Sequence, residues 1–171
     1  MTAAGSRAPL FALVAALVAA TGCGAAGASS APQMESAHPS AESLVVAALE
    51  AVARRDRTAM ESLLVTRDEH HDLLWPALPE SEHLSFEYAR WLNEHNTGKA
   101  IQRALERFGG EEFRLLRIEY TKGTETYPEF SLHRGAELIV RRVSDGAEGR
   151  LTLVDVLVER HEGWKLLDYE E

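Results

Sequence analysis

One cysteine in 171 residues excludes an intramolecular disulfide and any zinc site built on paired thiolates. Basic residues are also scarce: 18 Lys and Arg face 27 Asp and Glu, a net charge of −9. That balance argues against a protein held to nucleic acid by phosphate contacts. There is no Gly-rich phosphate loop, no Walker lysine and no strand–turn–helix serine elbow. No apolar run is long enough to cross a bilayer. The longest, Leu10 to Ala20, spans roughly 16 Å as a helix, about half a membrane. What remains is ordinary: 45% apolar and 26% charged residues at a length that suits one folded domain. A disordered or collagen-like chain is excluded on the same numbers.

The Leu10–Ala20 run follows a short segment whose only charged side chain is Arg7, the layout of a secretory signal. Ala20-Thr21-Gly22-Cys23 comes next. Small residues before a cut and a Cys just after it resemble the lipobox of bacterial lipoproteins, with Ala20 where Leu is usual. The resemblance implies acylation of the Cys23 thiol, removal of residues 1–22, and acylation of the new amino group. Two or more acyl chains make a durable membrane anchor. Arg7 leaves with the signal, so the mature chain is more acidic still. An acidic domain is repelled by an anionic surface, so the anchor itself is the expected membrane contact. The implied location is the bacterial cell envelope, with the domain outside the cytoplasm. The anchor would sit in the outer face of the inner membrane or in the outer membrane; Gly24, which is no retention signal of the Asp type, favours the latter where a cell has one.

Residues 23–40 read as the lipidated Cys and a flexible tether, because Gly24 to Ser40 is small, polar and without period. Residues 41–171 read as the domain. Leu44, Val45, Ala48, Leu49 and Val52 recur at helical spacing behind a Ser40 cap. A short helix holds Ala59, Met60, Leu63 and Leu64, with Asp56 as its cap. Thr66-Arg67-Asp68-Glu69 is a capping box that opens a third helix from Asp68 to Trp75, stopped by Pro76 and Pro79. Phe86 to Phe108 predicts a longer helix burying Ala89, Leu92, Ile101, Ala104, Leu105 and Phe108. Thr97-Gly98 marks a kink or split, and Gly109-Gly110 a stop. Beyond Gly110 the period changes to two. Leu116, Ile118 and Tyr120 predict one strand, Phe130 and Leu132 a second, Leu138 to Val140 a third, Arg150 to Arg160 a fourth, and Trp164 to Tyr169 a fifth. Helices followed by sequential strands with short turns predict an α+β fold, the helices packed on a curved antiparallel meander of four to five strands.

Leu49 to Met60, with its acidic turn, and the final Gly163-Trp164-Lys165-Leu166 resemble the nuclear transport factor 2-like superfamily. These are cone-shaped α+β domains shared by ketosteroid isomerases, polyketide cyclases and non-catalytic modules. The resemblance runs from Ala41 to Tyr169. More narrowly, Leu74-Trp75-Pro76-Ala77-Leu78-Pro79 with Phe108-Gly109-Gly110 and Leu132-His133-Arg134 resembles bacterial envelope proteins of this type that have no known activity. The resemblance implies a conical cavity between sheet and helix, either filled by side chains or open to a small molecule.

Asp155 interrupts the apolar series Leu151, Leu153, Leu157. A carboxylate inside the cone would have a raised pKa and suit a general base. The same residue also suits an ion pair with Arg141 or Arg142, or a bulge turned to solvent. His133 is a candidate base alongside it, or a surface histidine. Trp75, Tyr88, Trp91, Tyr120, Tyr127 and Trp164 are candidate pocket liners, having apolar bodies and polar tips, and are equally suited to a plain core. Trp75-Pro76 would plug the broad end. His70-His71 with Glu69 and Asp72 lacks the spacing of a zinc helix and reads as a solvated face. His83 and His95 stand alone. No metal site and no cofactor is implied.

The expected function is non-catalytic binding of a small apolar ligand or a protein partner near the membrane. Two alternatives stand beside it. One is an isomerase- or cyclase-like enzyme using Asp155 or His133. The other is a homodimer paired through the face that carries Thr152, Val154, Val156 and Val158.

Overall fold

The computed structural model describes residues 33–170. The signal, Cys23 and most of the tether lie outside the described residues.

Helix α1 (Ala41–Ala53) starts at Ser40, whose hydroxyl accepts from the Ser43 N–H while Ser43 Oγ accepts from the Ser40 N–H. It buries Leu44, Val45, Ala48, Leu49 and Val52, the predicted face. Arg55 then takes a left-handed φ of 54°, and Asp56 caps α2 (Arg57–Ser62) by accepting from the Ala59 N–H at 2.9 Å. The Thr66 capping box opens α3 (Arg67–Glu69), which runs on as one π-helical turn, His70–Leu74. Pro76 and Pro79 open two short turns rather than simply ending a helix. Helix α4 (Phe86–Phe108) is continuous through Thr97-Gly98. Its buried side is Phe86, Thr97, Ala100, Ile101 and Ala104; Leu92, expected inside, is exposed.

The sheet is antiparallel throughout: β1 (Phe113–Thr126), β2 (Ser131–Arg142), β3 (Glu148–Leu151), β4 (Val154–Arg160) and β5 (Gly163–Tyr169). The order is β1-β2-β4-β5, with β3 also on β2. Both predicted segments around Leu132 and Leu138 belong to one strand, β2. The predicted strand Arg150–Arg160 is instead two. They lie end to end along β2, Leu151 opposite Leu138 and Val156 opposite Arg134, with Thr152-Leu153 between them.

Bulges explain both differences. Gly135, at φ 66°, sits in β2 opposite two residues of β1, Thr121 and Lys122, one more than regular pairing supplies. An inserted residue turns the rest of a strand to the other face. Before Gly135 it is Leu132 that joins one core cluster; after it, Ala136, Leu138 and Val140 join another. A second β1 bulge buries Leu115 in part and leaves Leu116 exposed, against the expected phase. Asp155 is the extra residue of β4, between Val154 opposite Tyr169 and Val156 opposite Asp168.

The larger core lies between the sheet and α1, α2 and α4, around Leu44, Ile101, Leu138, Leu157, Leu166 and Tyr169. The smaller one holds Met34, Val65, Leu74, Phe130, Leu132 and Val158. Successive residues Leu157 and Val158 face opposite sides of β4, so the two cores lie on opposite faces of the sheet. Met34 is buried, and His38 and Trp164 exchange backbone hydrogen bonds at 2.9 and 2.8 Å. Packing among the described residues therefore includes Met34 and His38, ahead of Ala41. The outer edge of β5 is covered further by Leu63 to Val65, through Val65 N–H to Leu166 O at 2.7 Å.

Candidate functional site

The sequence-predicted residues fall into separate groups. Tyr120, His133 and Trp164 come together, the His133 ring lying between the other two at 4.9 and 4.8 Å. Both its nitrogens are engaged: Nδ1 with Thr124 Oγ1 at 3.0 Å and Nε2 with Glu159 Oε2 at 3.0 Å. Desolvation, and then the charges of Glu42 and Glu159, push the Tyr120 phenol up to about 12. These residues form a packed stack with no free base.

Asp155 is not a partner of His133. Its carboxylate accepts from Lys122 Nζ at 2.9 Å, so the bulge of β4 and the bulge of β1 meet in an ion pair across β2. The expected partners are taken elsewhere: Arg141 by Glu148 at 2.6 Å and Arg142 by Glu111 at 3.4 Å. Tyr127 stacks on Phe130 at 4.6 Å beside the smaller core. Trp75 packs edge-on to Phe86 at 5.7 Å and against the same core. Tyr88 and Trp91 stand exposed on α4, stacked at 6.2 Å. Cys23 lies outside the described residues.

His70 corrects the solvated-face reading. It is 5% exposed, its ring meets Phe86 at 5.4 Å, and its Nδ1 has no hydrogen-bond partner. Burial pushes it down to about 4, helped by the charges of Arg90 and His71. The neighbouring Glu69 is buried against Lys165, whose Nζ donates at 2.8 Å. Burial pushes the Glu69 carboxyl up, yet it lies below the usual range. Donation from Lys165 and from the Thr66 and Glu35 N–H groups, with the Lys165 charge, outweighs burial. Among the described residues no group of three or more His, Cys, Asp or Glu side chains could hold a metal.

Sequence reasoning missed the groove where α4 crosses the gap between β3 and β4. Ala100 and Ala104, one turn apart, let the Thr152-Leu153 segment approach, and Phe108 and Leu153 complete an apolar floor. Arg103, Arg107 and Glu106 rise on one side, Thr152 and Glu170 on the other, around about 450 Å³. The Arg107 guanidinium lies 4.9 Å over the Phe108 ring. Among the described residues neither Arg103 nor Arg107 makes an ion pair, although the chain carries an excess of acid. Arg103-x-x-x-Arg107 beside two alanines at helical spacing was the available signal. Its opposite wall is set by a strand break that no local pattern announces.

The volume falls in the range of small-molecule sites. Two guanidiniums can hold a carboxylate or phosphate bidentately over an apolar bed. The lining offers no nucleophile–base pair. Comparisons with family models, with curated proteins and with solved structures returned no match to this chain.

Proposed function

We propose that the chain is a lipid-anchored envelope protein whose domain binds, without catalysis, a small and largely apolar molecule bearing an anionic end. The anchor reading rests on the Ala20–Cys23 motif behind the Leu10–Ala20 run. The order of elements supports a nuclear transport factor 2-like domain as part of the same proposal. The binding reading rests on one observation: two arginines without an ion pair among the described residues, over the apolar floor of the α4 groove. The enzyme reading draws no support from its two candidate bases. Asp155 is held by Lys122, and His133 by Thr124 and Glu159. Sheet-face dimerisation is disfavoured because Val154, Val156 and Val158 are buried within one chain.

Titration with a fluorescent long-chain fatty acid tests the groove. Charge-assisted hydrogen bonds contribute about 1.5–3 kcal/mol each, so Arg103→Ala with Arg107→Ala should weaken binding at least about tenfold. Both side chains are exposed, so the fold should survive. Equal affinity in the double variant, or no uptake by the parent chain, would remove the groove as the site.

A further inference from the structure

Helix α4 carries a stripe that its own fold leaves uncovered. Tyr88, Leu92, His95 and Lys99 recur at i, i+4, i+7 and i+11, so they share one line down the helix. Trp91 stands beside them, and Leu84 precedes them just before the helix. Trp91 is 57% exposed, Tyr88 53%, Leu84 43% and Leu92 41%. The ring of Trp91 stacks on both neighbours, 6.2 Å from Tyr88 and 5.5 Å from His95 at an interplanar angle of 6°. Four of the seven large apolar side chains exposed on the domain therefore lie on this one stretch.

The charges of the face differ from those of the whole. The acids along the helix are held: Glu87 by Arg67, Glu94 by Arg90 at 2.7 Å, and Glu106 by the Gln102 amide at 2.7 Å; Glu80 and Glu82, ahead of Leu84, make no ion pair among the described residues. Lys99 and Arg103 continue the stripe without an ion pair among the described residues. A chain of net charge −9 thus presents an exposed aromatic and aliphatic patch followed by two cations that make no ion pair among the described residues. Trp and Tyr beside Leu, with Lys and Arg next along the helix, is the composition of an element lying at the boundary of headgroups and acyl chains.

We propose that this face of α4 docks on the phospholipid surface, with Leu84, Tyr88, Trp91 and Leu92 entering the headgroup boundary and Lys99 and Arg103 meeting lipid phosphates. The proposal rests on the anchor reading for its reach. Only residues 24–32 separate Cys23 from the described chain, a reach of at most roughly 30–32 Å. The described chain begins with Gln33 and Met34 beside Arg160 to Gly163 and meets α3 at Glu35. Glu35 N–H donates to Glu69 at 2.6 Å, and the next residue, His70, packs on Phe86. An anchored domain is thereby kept within reach of the surface, where a weak interfacial contact suffices. The acidity of the rest of the molecule would orient the domain with this face down.

The test uses the full chain purified from envelopes, its acylation read separately from its intact mass. It is mixed with vesicles of phosphatidylcholine and phosphatidylglycerol whose acyl chains are brominated. Trp75 and Trp164 are half-buried in packed contacts, so Trp91 is the exposed reporter. Expected is quenching of most of the Trp91 emission, absent in Trp91→Phe and abolished by Tyr88→Ser with Leu92→Ser, which keeps the reporter. These are exposed positions, so folding is preserved. Absence of quenching in the parent chain, acylated or not, would overturn the proposal, as would quenching unchanged in the Tyr88/Leu92 variant. A dimeric native mass without quenching would assign the stripe to a second copy, again overturning it. Quenching by a chain whose mass lacks acyl groups would sustain docking and remove the anchor reading instead.

Discussion

His70 stands beside a buried ion pair and carries no charge there. Its ring is enclosed by Trp75 and Phe86, with Arg90 from α4 and His71 from its own turn opposing protonation. Its folded-state pKa of about 4 lies below the ordinary 6.5, so the unfolded chain takes up this proton first. The stability it contributes is complete above pH 6.5 and is lost as pH falls toward 4. That loss is at most about 3 kcal/mol. The carboxyl of Glu69, held low by Lys165 and two backbone N–H groups, acts in the same direction below its ordinary 4.5. Urea midpoints between pH 7 and pH 4 should therefore fall steadily. His70→Phe should flatten the upper part of that fall and leave the part below about pH 4.5, which belongs to Glu69. An unchanged slope in the variant would contradict this account. The π-helical turn follows directly, at His70–Leu74, and such turns recur at functional sites.

At the scale of elements, the sheet is governed by its irregularities. Gly135 needs φ 66°, and a Cβ there would lie 2.5 Å from Thr121 Oγ1 and 2.8 Å from Lys122 Cγ. Thr121 meanwhile donates to the Gly135 carbonyl at 2.9 Å. Gly135→Ala should cost about 2 kcal/mol or more by urea unfolding, from left-handed strain and the displaced β1 bulge together. A cost near zero would mean that the two strands can re-register freely. The same bulge determines which side chains of β2 meet α1. It explains why strict alternation, which reads Leu132, Ala136 and Leu138 as one face, misplaces the first of them. On α4 the error is of another kind. A helical period locates apolar side chains without saying whether any layer covers them, and the first half of α4 shows Tyr88, Trp91 and Leu92 to solvent.

For the molecule as a whole, both faces of the β2–β4–β5 region are packed, and chain segments cover the β5 edge. The β1 edge carries Arg117, Glu119 and Glu125, charges that discourage strand-to-strand addition. The chain should therefore run as a monomer by native mass spectrometry at micromolar concentration. A dimer that survives Tyr88→Ser with Leu92→Ser would show that the sheet pairs after all. Purification under gentle conditions would also reveal any retained small molecule, whose acidity can be compared with the demand of Arg103 and Arg107.

What the sequence by itself determined is the helix caps and the change of period. Ser40, Asp56 and Thr66 placed three helix starts, because a cap is a bond between residues three apart. The change of period after Gly110 announced the sheet, and with it the α+β class. Only the tertiary structure decided which side chains meet. Lys165 finds Glu69 across 96 positions, and the Tyr169 hydroxyl finds the Met60 carbonyl across 109. Asp155 is turned to Lys122 by bulges in two strands, and the groove beside Arg103 lies where the expected strand Arg150–Arg160 breaks at Thr152-Leu153. Each depends on registers that hydrophobic pattern constrains to a face but not to a partner, and a single extra residue in a strand is enough to change them.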